Sequence, residues 1–228
     1  MPMPLEVLYE DNHLIAVYKP AGLLTQKDKT GDMSLLDEVR DYLIKKYHKP
    51  GNAFVGMLHR LDRPVSGIVL FAKTSKGASR LSEQFRNRTI RKTYHCLARG
   101  SPRPLNGVLK NYVVKDHSAN KTGVVNTGGK EEVAELAYET QLTDGHYALL
   151  KILLKTGKSH QIRSQLAYIG CPIIGDVKYG APLVCDINGI ALIASELSFN
   201  STISGKRITI TAPYPDNWVK LIKQHAKS

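Results

Sequence analysis

Between Gly67 and Ala72 the chain runs Gly-Ile-Val-Leu-Phe-Ala. A stretch that is apolar at every position after its glycine does not tolerate water on either side, and it predicts a strand buried inside a sheet. This requirement limits the possible folds more than any other feature. Two runs have a similar character. His13 to Lys19 (HLIAVYK) follows an Asp-Asn turn and closes at Pro20-Ala21-Gly22, and Tyr147 to Lys155 reads YALLKILLK. Both predict strands. Thr93 to Ala98, Ile190 to Ala194 and Arg207 to Thr211 add three more, and Asn126-Thr127-Gly128-Gly129 predicts a hairpin turn between Lys110 and Leu142.

Helical spacing is rarer. Leu35 to Tyr47 carries apolar residues at 35, 36, 39, 43 and 44, with Ser34 placed to cap it. Ser75 to Arg88 turns Ala78, Leu81 and Phe85 inward and its arginines outward. Ser159 to Ile169 puts Ile162, Leu166 and Ile169 on one face, with Ser159 as the expected cap and Gly170 and Pro172 ending it. Strands outnumber helices, and short turns join many neighbours. The expectation is an α+β fold on a mostly antiparallel mixed sheet with flanking helices and loops. No linker, repeat or low-complexity segment divides the chain, so one domain over residues 1–228 is expected, with its core at about 7–215.

A chain of 228 residues buries roughly 70% of its unfolded surface and needs no disulfide or metal staple. Cys96, Cys171 and Cys185 form no CxxC pair, which argues against a zinc ribbon and fits a reducing compartment. The eight histidines show no HExxH or similar spacing, so no metal is expected. The start, MPMPLEVLYEDNHL, lacks the pattern of a signal peptide, and no apolar run reaches the ~18 residues of a membrane span. The expected setting is the cytoplasm, with no membrane partner.

Charge narrows the class of partner. Lysines and arginines number 32 against 20 acids, a formal net of +12. Between Lys73 and Lys92 stand seven basic residues (Lys73, Lys76, Arg80, Arg86, Arg88, Arg91 and Lys92) against Glu83 alone. An excess this steep on a helix and its flanks points to nucleic acid.

Within that frame, His59-Arg60-Leu61-Asp62-Arg63-Pro64-Val65-Ser66-Gly67 sets one acid between two arginines, immediately before the buried strand and the basic helix. A carboxylate of ordinary pKa ~3.9, kept ionised beside a guanidinium, can serve as nucleophile or base. The same acid can also sit idle in a loop, paired with Arg60 or Arg63. Lys155 to Arg163 (KTGKSHQIR) ends a GKS, but position 152 is Ile where a phosphate-binding loop needs glycine. It reads instead as a helix start, with His160 and Arg163 three apart on one face. Tyr94, in Arg91-Lys92-Thr93-Tyr94, lies on a strand beside the cationic region, where a ring can stack an unpaired base. Lys19-Pro20-Ala21-Gly22 and Ile174 to Gly180 (IGDVKYG) read only as turns.

These stretches in this order and spacing, together with Gly67 to Thr74, PIIGDVKYG and Ile190 to Phe199, resemble the RluA-type family of RNA pseudouridine synthases over nearly the whole chain. The resemblance implies an isomerase that breaks the uridine N-glycosidic bond, turns the base and rejoins it through C5, with no cofactor or metal. It implies a pseudouridine-synthase-like catalytic domain without the separate S4-type RNA-binding domain, because His13 already begins the catalytic region. Asp62 matches the catalytic aspartate, Tyr94 the tyrosine packed against the target base, and Arg163 the arginine paired with the aspartate. Arg60 matches an arginine that contacts RNA around the extruded nucleotide. The expected RNA contacts are therefore Arg60, Lys73, Arg86, Arg88, Arg91, Lys92, Lys158 and His160. The implied partner is a tRNA or rRNA stem-loop bound by a monomer, and not DNA.

Asp62 either attacks C1′ or removes the 2′ proton, and both roles need the ionised form. The chain departs from the family pattern at Val65, where Thr is more frequent, at Lys158, where Arg is usual, and at Ile193, where His is common. Two other classes stay open on residues alone. A retaining glycosidase or nucleoside hydrolase would need a second acid about 5 Å from Asp62, and Asp41, Glu83 and Asp176 are the acids to consider. An RNA-binding module would need no chemistry at all.

Overall fold

The computed structural model describes residues 4–126, 131–182 and 187–225. In chain order its elements begin β1 (Val7–Glu10), β2 (Leu14–Lys19), α1 (Leu35–Lys46), β3 (Gly56–Met57), β4 (Ser66–Ala72), α2 (Ser75–Arg86), β5 (Arg91–Arg99) and β6 (Asn106–Asp116). There follow β7 (Lys121–Val125), β8 (Glu132–Thr143), β9 (Tyr147–Leu154), α3 (Gln161–Tyr168), a 3-10 turn (Val177–Tyr179), β10 (Leu192–Asn200), β11 (Arg207–Thr211) and α4 (Asp216–His225). This is the expected α+β fold. The chain forms two compact units, Met1–Arg91 with Ala194–Ala212, and Lys92–Ile193 with Pro213–Ser228. Among the described residues no helix is long and apolar enough to cross a membrane.

In the first unit the strand order is β1-β2-β4-β10, with β3 on β4 and β11 on β10. β2 and β4 run antiparallel, Leu14 opposite Ala72 and Lys19 opposite Gly67. Leu14, Ala16, Ile68, Leu70 and Ala72 join Leu81 of α2, Leu197, Phe199 and Ile210 in one core cluster, against which Ala78 and Phe85 also pack. The inward stripe read from α2 is therefore real. Ile15, Val17, Val69 and Phe71, which alternate with the cluster residues, are fully buried as well. Both faces of the central strands are covered, as an all-apolar run demands.

Local signals explain the edges of these elements. Ser34 caps α1 in a reciprocal box with Asp37, as its position before the apolar stripe predicted. Thr74 caps α2 by accepting from Gly77 N–H at 3.1 Å. Gly67 has φ +117°, and a Cβ there would lie 2.4 Å from the Ala194 carbonyl oxygen, so only glycine lets β4 start where it does.

In the second unit the order is β5-β9-β8-β6-β7. Each neighbouring pair is antiparallel, Tyr94 lying opposite Ile152 across β5 and β9. The expected hairpin turn differs. Thr127, Gly128 and Gly129 lie outside the described residues, but β7 and β8 both pair with β6 and so are not neighbours. The tight turn comes earlier, at His117 to Asn120. There the Asp116 carboxylate accepts from Ser118 N–H at 2.8 Å, Ser118 hydroxyl at 2.6 Å and Ala119 N–H at 3.1 Å.

α3 also starts differently. The cap position is His160, in left-handed conformation at φ 50°, and no side chain caps it. Ser159 is not the cap. The Gln161 carboxamide fixes the entry instead, accepting from Lys158 N–H at 3.0 Å and Thr156 hydroxyl at 2.7 Å. Gln165 then donates to Leu109 O, Asn111 Oδ1 and Ala134 O, fastening α3 to β6 and β8. α4 had no counterpart among the expected elements, although Trp218 and Ile222, four apart, are both buried.

Candidate active site

Asp62 follows Leu61 in a loop whose backbone is tied on both sides. Before it, Leu61 and Thr25 are linked twice: Leu61 N–H donates to the Thr25 hydroxyl at 3.2 Å, and that hydroxyl donates to Leu61 O at 2.9 Å. After it, Arg63 O accepts from Gly22 N–H at 2.8 Å, and Val65 N–H turns back to Asp62 O at 3.0 Å. His59 Nε2 accepts from Leu70 N–H at 3.0 Å, and its ring lies against Phe85. That hydrogen bond requires an unprotonated Nε2, so His59 serves as a neutral peg for the loop's entry.

The least expected member of this site is Lys19. It ends β2 and is completely buried. Its ammonium donates to Pro20 O at 3.0 Å, Leu23 O at 2.7 Å and Arg63 O at 3.1 Å, filling all three N–H positions. Burial pushes its pKa down to about 8; the Asp62 carboxylate works against that fall and Arg63 adds to it. Lys19-Pro20-Ala21-Gly22 is thus a clamp beneath the aspartate loop as well as a turn. A sequence signal existed, because a lysine at the end of an apolar strand has to be satisfied internally.

The arginines flanking Asp62 divide. Arg60 is exposed. Arg63 sends Nε to Gly22 O at 3.0 Å and Nη2 to Asp32 at 2.9 Å. Its charge is paired with Asp32, which disposes of the idle Asp62–Arg63 pair considered from sequence.

The second unit presents Tyr94 and Arg163. Tyr94 stands in β5 and is only 8% exposed. Arg163, in the first turn of α3, is held by Asp176 through Nε at 2.7 Å and Nη2 at 2.9 Å. Its guanidinium lies over the Tyr179 ring, 5.0 Å from the centroid. His160 meets the same tyrosine edge-on, with Nδ1 3.0 Å from the hydroxyl. The two residues read as sharing one helical face do converge, and their common neighbour comes from the Gly175-Asp176-Val177-Lys178-Tyr179 stretch that read only as a turn. Asp176 is engaged by both its oxygens, which removes it as the free second acid of a hydrolase.

The expected RNA contacts differ in character. Arg86, Arg88 and Arg91 are exposed. Lys73 points into the protein: its ammonium donates to Glu10 at 2.5 Å, Asp11 O at 2.8 Å and Tyr47 hydroxyl at 3.0 Å, and its side chain is 10% exposed. Lys158 pairs with Glu132 at 2.6 Å. Burial lowers the pKa of Lys92. Arg80 of the same basic window is spent on Thr202 O. Periodicity identified which residues are cationic, but the partners of each cation lie far away in sequence.

An ionised carboxylate on a backbone fixed at both ends can attack or take a proton without the loop reorganising. Exposed arginines on the same unit suit a polyanion. Comparison with known proteins identifies the family. The family model for RNA pseudouridylate synthase matches residues 13–168. An uncharacterized RNA pseudouridine synthase of Synechocystis sp. is 34% identical over 96% of this chain and 68% of its own length. A tRNA pseudouridine synthase C from Yersinia pestis is 32% identical over 96% of this chain and 90% of its own. In fold, the chain is similar to Human RNA Pseudouridylate Synthase Domain Containing 4, with TM-score 0.79 and 22% identity over 97% of this chain and 92% of that one. The chain belongs to the RNA pseudouridylate synthase family, whose members isomerise uridine in RNA.

Proposed function

We propose that this enzyme acts on particular uridines in the stem-loops of tRNA, rRNA or both, as a cytoplasmic monomer, and that Asp62 performs the chemistry. The observation that carries the assignment is the double tether of the Asp62 loop, through Thr25 on one side and through Lys19 and Gly22 on the other. The tRNA arm draws support from the Yersinia pestis relative.

The target base first leaves its stack, at a cost of about a few kcal/mol. Exposed Arg60, Arg86, Arg88 and Arg91 hold the phosphates, and Tyr94 packs against the extruded base, a contact worth roughly 1–3 kcal/mol. The C1′–N1 bond then breaks, with Asp62 attacking C1′ or removing the 2′ proton. After rotation, C5 bonds to C1′, the C5 proton leaves to solvent and N1 gains a proton, so the product is an isomer. Asp62 begins and ends the cycle as the carboxylate, with Arg163 as its counter-charge: on the first route C5 displaces its ester oxygen from C1′, and on the second it returns the proton to C2′ as C5 bonds to C1′.

The test is tritium release from RNA labelled at uridine C5. Wild type releases tritium from bulk tRNA or rRNA, and Asp62→Asn abolishes release while RNA binding persists. Full release by Asp62→Asn removes Asp62 from the chemistry, and free uracil or ribose in place of pseudouridine turns the assignment to a hydrolase. Loss of modification at identified uridines in a deletion strain names the targets.

A further inference from the structure

The Asp176 to Tyr179 stretch has no task in the reaction described above, yet it encloses Arg163. Asp176 takes one edge of the guanidinium in a two-pronged contact, Nε at 2.7 Å and Nη2 at 2.9 Å, and the two side chains are 6% and 1% exposed. Tyr179 covers the flat face, its ring centroid 5.0 Å from Cζ.

Tyr179 is itself pegged. Its hydroxyl accepts from Thr122 N–H at 2.9 Å, lies 3.1 Å from Thr122 O and is 3.0 Å from His160 Nδ1. A phenol has one proton and two lone pairs. With the proton on Thr122 O and one lone pair taken by Thr122 N–H, the second lone pair receives a proton from His160 Nδ1. Every position on the hydroxyl is then used, and the ring cannot turn without breaking three hydrogen bonds.

Stability alone does not call for this arrangement. A buried ion pair costs desolvation that well-packed apolar residues avoid, so such a pair is weak evidence for stabilisation. What a two-pronged carboxylate and a pegged ring supply is a single orientation of one guanidinium. We infer that Asp176 and Tyr179 are positioning residues for the isomerisation, holding the Arg163 guanidinium in the one orientation that the chemical step uses. The inference rests on the proposed role of Arg163 as counter-charge to the catalytic carboxylate.

The experiment measures single-turnover tritium release at saturating protein and RNA affinity, on variants shown by circular dichroism to be folded. Asp176→Asn is expected to slow the chemical step about 100-fold, with RNA affinity within about 2-fold of wild type. Asp176→Glu should recover part of the rate. Tyr179→Phe keeps the ring, deletes the hydroxyl pegs and is expected to be about tenfold slower; it carries the test alone if Asp176→Asn does not fold. A purely structural role would lower the melting temperature and leave the rate unchanged in the folded variants, and that result overturns the inference. If wild type itself releases no tritium from any RNA, the failure lies with the proposed activity, whereas an active wild type with matching variants removes this inference only.

Discussion

Arg63 and Gly22 hold one another through two hydrogen bonds, Gly22 N–H to Arg63 O at 2.8 Å and Arg63 Nε to Gly22 O at 3.0 Å. Gly22 adopts φ +90°, a conformation that glycine reaches without strain. The carbonyl of Arg63 also receives the Lys19 ammonium, and its Nη2 reaches Asp32. The residue immediately after Asp62 is thus fixed through main chain and side chain together. An arginine beside an acid would ordinarily suggest an ion pair; here the arginine braces the loop that carries the acid.

Arg63→Met should therefore slow the chemical step about tenfold with little change in RNA affinity, because the aspartate loses part of its support. Arg63→Lys should not restore the rate, since an ammonium lacks the planar fork that reaches Gly22 O and Asp32 at once. Asp32→Asn should be nearly silent in stability, its pair being half exposed and worth about 0–1 kcal/mol. Single-turnover rates on the three variants check this. Equal losses from Asp32→Asn and Arg63→Met would place the effect in the salt bridge instead of the brace.

Lys19 should give the enzyme opposite responses of stability and rate to alkaline pH. Its folded-state pKa is about 8, below the ordinary 10.5, chiefly because of burial. Below about 8 the group is charged in both states, and between about 8 and 10.5 the unfolded chain holds a proton that the folded chain has released. Its contribution to stability therefore rises with pH across that window. A neutral amine has two donors for three carbonyls, so the loop slackens and the rate falls over the same range. Lys19→Met should abolish both slopes and cost roughly 2–4 kcal/mol at neutral pH, as three carbonyls lose their donor. Urea midpoints and single-turnover rates on either side of pH 8 decide it, and a wild-type rate that stays flat well above pH 8 removes the clamp from catalysis.

Glu10 should govern part of the acid limb of stability. Burial is the largest influence on its carboxyl and pushes the pKa up, but hydrogen bonds from Lys46, Lys73 and Tyr47 outweigh it and bring the value down to about 2. The stabilisation is complete above the ordinary 4.5 and is lost as pH falls toward 2. Glu10→Gln should cost about 3 kcal/mol at neutral pH, by stranding the buried Lys73, and should flatten that limb in urea titrations. Lys73→Met should destabilise to a similar degree while leaving the salt dependence of RNA binding unchanged. A reduced salt slope would return Lys73 to the RNA surface.

What the sequence made legible followed from periodicity and short motifs. The largely apolar runs located β2, β4 and β9, and Ser34 before its apolar stripe located α1, because each of these depends on neighbours a few residues away. The Asp62 loop was legible by motif as a candidate site. Its support was not, since Lys19 meets Arg63 across 44 positions and Thr25 meets Leu61 across 36. The same distance hid the fates of Lys73 and Lys158, whose acids Glu10 and Glu132 lie 63 and 26 positions away. The start of α3 was misread because the Gln161 side chain does the capping work expected of Ser159.

Arg86, Arg88 and Arg91 form the exposed remainder of the basic window at the end of α2 and the start of β5. Each phosphate contact removed should lower the slope of log affinity against log salt by about 0.7–0.9. Replacing all three with glutamine should therefore flatten the salt dependence while the rate at saturating RNA stays near wild type, because none of them touches the Asp62 loop. Arg88 separates charge from folding. It holds φ 55°, a left-handed conformation that costs a residue with a Cβ about 1–2 kcal/mol. Arg88→Gly relieves that cost as it removes the charge, so RNA binding should weaken in a protein no less stable than wild type. Filter binding over a range of salt, with urea midpoints in parallel, gives both numbers, and an unchanged slope in the triple variant would take the α2 surface out of RNA recognition.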